Sequence, residues 1–261
     1  MIGIFDSGVG GMTVARAVEL LLPRFPLLYL GDIARSPYGT KSDRTIVEYS
    51  IENTKFLIER GAQVIVIACN SASSVATDRL RQEFSIPIIE VITPAVEQAL
   101  RQTRSCRIGV IGTKATIRSN IYERKILAER PECRVVSTPC PLLVPLVEEG
   151  WTNKRETKMI LRRYLHGLKE SQVDTLVLGC THYPLLKHLI QPRIGKRVTL
   201  IDSSLAAAEY LRQYLQDNPD FAPSAQHEPS KNRYFVTDLT ESTRSMAEKI
   251  FARPIDLQPV E

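Results

Sequence analysis

The chain of 261 residues lacks several features that would assign it to a common class. No apolar run approaches the roughly 20 residues a membrane span needs. There are five cysteines, an odd number, and no two form a C-x-x-C pair. No disulfide framework and no zinc site are therefore expected; Cys180 and His182 are the only close Cys/His pair. The opening residues carry no basic n-region and no cleavage site, so a cytoplasmic protein is expected. Charge of one sign is not in large excess. Lys and Arg number 34 against 29 Asp and Glu, a net +5. Read as spread along the chain, that balance suits an anionic small molecule, and neither a nucleic-acid nor a membrane partner is expected. What is present is a globular composition, 43% hydrophobic and 24% charged, which excludes disorder as the main state.

Short apolar runs alternate with helical periodicity along the whole chain. Ile2 to Phe5, Leu27 to Leu30, Val64 to Ala68 and Ile86 to Val91 read as strands. Helices are expected between them, over about Met12 to Leu22, over about Asp43 to Arg60, and after Cys69-Asn70-Ser71 to about Phe84. The pattern then restarts. Strands are expected at Arg107 to Ile111, Val135-Val136, Thr175 to Leu178 and Val198 to Ile201. Helices are expected over about Lys114 to Glu129 and Lys154 to Lys169. The Pro-rich stretch Pro139 to Pro145 and the polar stretch Asp217 to Lys231 read as irregular, the latter as a long surface loop. Arg233 to Val236 and a helix over about Thr240 to Phe251 close the chain. Strands alternating with helices predict an α/β protein with parallel sheets.

A weak internal repeat runs through this pattern. Ile2-Gly3-Ile4-Phe5-Asp6 parallels Ile108-Gly109-Val110-Ile111-Gly112, and Val64 to Ser71 parallels Leu176 to His182. Gly3 and Cys69 lie 66 positions apart, Gly109 and Cys180 lie 71 apart. Each of two similar units thus presents a cysteine at the carboxyl end of an equivalent strand, where ligands bind in open α/β sheets. Asp6, Ser7, Asn70, Thr181 and His182 fall at such ends too. Two thiols approaching one ligand from opposite sides would suit racemisation: one removes a proton from a carbon, the other returns one to the opposite face. An ordinary thiol pKa of about 8.5 allows both roles if neighbours tune it. Asp6 is the expected neighbour of Cys69, and His182 with Glu148 or Glu149 those of Cys180. Cys106, Cys133 and Cys140 read as structural, and His166, His188 and His227 are given no role. Gly8-x-Gly10 follows a strand as in dinucleotide-binding folds, but Thr13 occupies the third glycine position and Asp6 would repel a pyrophosphate.

Four motifs carry a resemblance to a known family. They are Ile4-Phe5-Asp6-Ser7-Gly8-Val9-Gly10-Gly11, Gly31-Asp32-Ile33-Ala34-Arg35-Ser36-Pro37-Tyr38-Gly39, Ala68-Cys69-Asn70-Ser71-Ala72-Ser73 and Gly179-Cys180-Thr181-His182-Tyr183-Pro184. In this order they span most of the chain, which resembles the bacterial glutamate racemases of the cofactor-independent aspartate/glutamate racemase superfamily. The resemblance implies two pseudo-symmetric α/β domains with the active site between them, residues 1–92 plus 206–261 forming one and 93–205 the other. It implies L-/D-glutamate interconversion without a cofactor or metal, D-glutamate passing to peptidoglycan synthesis, and a possible homodimer. By motif position, Cys69 acts on the proton of the D-enantiomer and Cys180 on that of the L-enantiomer, assisted by Asp6, His182 and Glu149 or its neighbour Glu148. Asp6, Ser7, Tyr38, Gly39, Asn70, Ser71, Thr113, Thr181 and His182 bind substrate. Ser71 stands where the family usually has Thr and keeps the hydroxyl; Ile33 and Ser36 also depart from the commonest residues. No extension precedes the first strand, so activation by a cell-wall precursor is not expected. Aspartate racemase is the sister alternative, and a gyrase-inhibiting role, known for some members, is the non-catalytic one.

Overall fold

The computed structural model describes residues 1–221 and 228–260. The first half runs β1 (Ile2–Asp6), α1 (Met12–Leu21), β2 (Leu27–Gly31), α2 (Asp43–Glu59), β3 (Val64–Ile67), α3 (Asn70–Glu83), β4 (Ile88–Glu90) and α4 (Ile92–Gln102). It continues through β5 (Arg107–Gly112), α5 (Lys114–Arg118), α6 (Ile121–Glu129), β6 (Arg134–Pro139), α7 (Leu143–Glu148), α8 (Arg155–Glu170), β7 (Thr175–Gly179), α9 (Lys187–Ile194) and β8 (Thr199–Asp202). It ends with α10 (Ser203–Asp217), β9 (Arg233–Val236), α11 (Glu241–Phe251) and β10 (Leu257–Pro259).

The strands form two sheets, in the orders β10-β9-β2-β1-β3-β4 and β6-β5-β7-β8. Every pairing is parallel, so the α/β reading holds, with one parallel sheet in each of two domains. β1, β2, β3 and β7 are buried along their whole length. Their apolar runs do not alternate because helices cover both faces. The chain leaves the first sheet through α4 and returns through α10, and these two helices pack on each other. Side-chain caps fix several helix starts: Ser42 accepts from Thr45 N, Thr113 from Thr116 N, Asp202 from Ser204 N and Thr240 from Thr243 N.

The structure departs from the sequence reading at identifiable points. The helix expected over Lys114 to Glu129 is two, because Asn120 turns left-handed at φ 54° and starts α6 afresh. The Pro-rich stretch contains α7, with Pro145 in its first turn, where a missing N–H costs no helical bond. Residues 222–227 of the expected long loop, including His227, lie outside the described residues. Cys106 and Cys133 pair in a disulfide, against the expectation of none. They immediately precede β5 and β6, whose register sets Arg107 beside Arg134, so parallel pairing makes neighbours of cysteines 27 residues apart. Cys69, Cys140 and Cys180 are the free thiols.

Candidate active site

The carboxyl ends of β1, β3 and β7 meet across the two sheets. Cys69 follows β3 and precedes the first residue of α3; Cys180 follows β7. Both are 5% exposed, and both line one small cavity together with Ser7, Tyr38, Gly39, Asn70, Ser71, Thr113, Thr181 and His182. The predicted residues other than Asp6 and Glu149 thus converge on one space. Three further lining residues, Ser36, Pro37 and Val144, were missed. Ser36 and Pro37 lie within a recognised motif, whereas Val144 carries no sequence signal and arrives only because α7 packs there.

On the Cys69 side, Sγ lies 3.5 Å from the Ser7 hydroxyl. Burial pushes the Cys69 thiol up to about 12, and the Asp6 charge adds to the effect. Asp6 is fully buried and stands behind the lining. Its Oδ2 accepts from Gly8 N and Gly11 N, each at 3.0 Å, and its Oδ1 from the Thr181 hydroxyl at 3.4 Å. Burial raises the Asp6 carboxyl to about 6, although the His182 charge and the Gly11 and Gly8 N–H groups pull it down. On the Cys180 side, Sγ lies 3.8 Å from His182 Nδ1, and His182 Nε2 lies 3.0 Å from Glu148 Oε1. The sequence reading named Glu149 with Glu148 as the alternative; the structure brings Glu148 to His182. Both glutamates border a neighbouring depression, but Glu149 comes one residue after α7 ends, and successive helical residues point about 100° apart.

Burial alone would lower the His182 pKa. The hydrogen bonds and charges of Cys180 and Glu148 outweigh it and raise the group to about 10. An imidazolium held above its ordinary 6.5 stabilises the fold fully below that pH, and the contribution is lost as pH rises through about 10. Glu148→Gln is expected to lower the His182 pKa. Its destabilisation, measured by denaturant midpoints, should be largest below about pH 6.5 and fade towards pH 10. A destabilisation that is constant with pH would show that the pair does not control His182.

Binding capacity comes from several sources. The first N–H groups of α3 lie beside the cavity and favour a carboxylate. Ser71 Oγ and Thr113 Oγ1, 2.8 Å apart, join the two halves at its edge. Asn70 is itself fixed, accepting from Tyr122 OH at 2.6 Å and donating to Ser203 Oγ at 3.4 Å. The Tyr38 hydroxyl donates to Asp32 and accepts from Asn53, so Tyr38 offers the cavity its ring and backbone. The Gly-rich turn serves close packing. A Cβ on Gly10 would lie 2.5 Å from His182 Cε1 and Nδ1, and one on Gly11 would lie 2.1 Å from Asp6 Cβ. Thr13 Oγ1, in the third glycine position, donates towards Gly10 O and Thr181 O. Among the described residues no group of three or more His, Cys, Asp or Glu is placed to hold a metal ion, and no helix is long and apolar enough to cross a membrane.

Comparison with known proteins gives matches over most or all of the chain. Residues 12–211 match the Asp/Glu/hydantoin racemase family. A glutamate racemase of Geobacter metallireducens is 48% identical over 238 residues, covering 91% of this chain and 87% of that protein. The crystal structure of glutamate racemase isoform RacE1 from Bacillus anthracis superposes with a TM-score of 0.94 at 35% identity, covering 100% of this chain and 97% of that one. That of the Francisella tularensis glutamate racemase in complex with D-glutamate gives a TM-score of 0.92 at 38% identity, with the same coverage.

Proposed function

The chain belongs to the Asp/Glu/hydantoin racemase family, and from that premise we propose that it interconverts L- and D-glutamate by two-thiol proton transfer. The observation that carries this reading is the placement of two buried thiols, one from each sheet, on a single cavity. In the L-to-D direction Cys180, as thiolate, takes the Cα proton. The C–H bonding pair stays on Cα and is delocalised into the adjacent carboxylate. Cys69, as thiol, then delivers its proton to the opposite face, leaving Cys69 as thiolate and Cys180 as thiol. The reverse direction starts from that second state. Burial keeps the Cys69 proton in place, as a donor requires. His182, held protonated by Cys180 and Glu148, sets a cation 3.8 Å from the sulfur that must carry negative charge. Asp6 orients the loop beneath Cys69 through Gly8 and Gly11. Ser7, Asn70, Ser71, Thr113 and Thr181 hold the carboxylates and ammonium of the substrate. D-glutamate made in this way serves peptidoglycan synthesis.

Incubation of dialysed protein with L-glutamate, followed by chiral analysis, tests the reading directly. Turnover should survive chelator and carbonyl-trapping reagents, because two thiols supply both proton steps; loss to chelator with recovery on adding metal would overturn it. Glutamate should be turned over faster than aspartate by about 10–200-fold, the value of one methylene in a fitted pocket. Equal rates would indicate the aspartate-using alternative or a broad racemase.

A further inference from the structure

The net charge of +5 conceals a strong asymmetry. Residues 154–197 carry ten Lys or Arg and three Asp or Glu, a net +7, so the rest of the chain sums to −2. Seven of the ten cations lie on α8 and α9, which pack together on the second sheet. A cleft between them is lined by Arg162, His166 and Lys169 of α8 and Arg193 of α9. Positions 162, 166 and 169 follow helical spacing, so their side chains share one face, a turn apart at about 6 Å or less.

Their charges are poorly neutralised. Among the described residues, Arg162, Lys169 and Arg193 form no ion pair; the one carboxylate engaged is Glu170, 3.1 Å from His166. Arg193 is fixed by carbonyl groups, its Nε donating to Lys158 O at 3.1 Å and its Nη1 to Leu189 O at 2.7 Å. Its guanidinium is therefore held in place with its charge intact. No cleft residue lines the catalytic cavity.

We propose that this α8–α9 face is a docking surface for the phosphate backbone of double-stranded DNA. The concave cleft suits a phosphate ridge better than a flat bilayer. Beyond His166, which Glu170 engages, its lining contains no aromatic ring on which unpaired bases could stack. It also contains no Ser, Thr, Asn or Gln beside the cations to read a ribose 2′-hydroxyl. Contacts confined to phosphate make the binding sequence-independent and salt-sensitive.

Fluorescence anisotropy of the full chain with a labelled duplex of about 30 base pairs tests this. Phosphate contacts by Arg162, Lys169 and Arg193 predict a slope of log K against log salt near −2.7, about 40-fold weaker binding at about 200 mM than at about 50 mM salt. Arg162→Ala with Lys169→Ala should reduce the slope by about 2 and weaken binding at low salt. Glutamate turnover and the thermal midpoint of that variant should match wild type. Absence of binding at about 50 mM salt would overturn the proposal. So would unchanged binding by the double variant, or tighter binding to duplex RNA or to phosphatidylglycerol vesicles than to DNA.

Discussion

Replacing Cys69 with Ser, or Cys180 with Ser, is expected to lower racemisation by at least ~10³-fold in both directions, since general acid–base steps contribute about 10²–10⁴-fold. A hydroxyl is a far weaker acid than a thiol and, at neutral pH, almost never an alkoxide. Either substitution therefore removes both the acid and the base function on one face of Cα. Neither should unfold the chain, because Ser is close to Cys in size and both positions border a polar cavity. Cys140→Ser is the matched control. That thiol is also free and buried, but it lies outside the cavity lining, so turnover should be retained at a modest cost in stability. In heavy water, wild-type enzyme starting from one enantiomer should form product carrying solvent deuterium at Cα, while the unreacted starting enantiomer initially keeps its hydrogen. Transfer of substrate hydrogen into the first product formed would indicate one base serving both faces. Full activity in either Ser variant would end the two-thiol proposal.

Gly10→Ala is expected to reduce turnover by about 10²-fold in a chain that still folds, because a misplacement of about 1 Å can cost that much. The added Cβ would lie 2.5 Å from His182 Cε1 and Nδ1 and 2.7 Å from Thr181 Oγ1. One of the two loops must yield. The His182 ring is held on its other side by Glu148 at 3.0 Å and faces Cys180 at 3.8 Å, so any movement changes the distance to the sulfur. Overpacking of this kind typically costs about 1–3 kcal/mol of stability. Gly167→Ala provides the contrast: nothing lies within 4 Å of its would-be Cβ. In the last turn of α8 that change should stabilise the protein by up to about 1 kcal/mol and leave turnover alone. Comparison of kcat with the thermal midpoint separates the two outcomes. Wild-type turnover by Gly10→Ala would show that the loops adjust freely and that the His182 position does not matter.

Sequence and tertiary structure determined different parts of this protein. Unbroken apolar runs such as Val64 to Ile67 identified buried parallel strands, because a strand covered on both faces has no polar side to alternate. The paired positions of Cys69 and Cys180 were visible because each ends such a run, and a strand's carboxyl end is where an α/β sheet opens to a ligand. Four ordered motifs then specified the family. What remained hidden depends on contacts between distant residues. The choice of Glu148 over Glu149 follows from which face of α7 turns towards His182, and a helix of six residues with Pro145 inside it shows no periodicity to read. The Cys106–Cys133 pairing follows from parallel register, which local sequence does not encode. Thr13 and Asp6 argued in the sequence against a phosphate cradle at the glycines of the first turn, but only the packing of two domains showed those glycines pressed against His182 and Asp6. The basic cleft was averaged away in the chain's total charge. Summation along a chain discards position, whereas folding brings Arg193 beside the Arg162 and Lys169 turns of another helix.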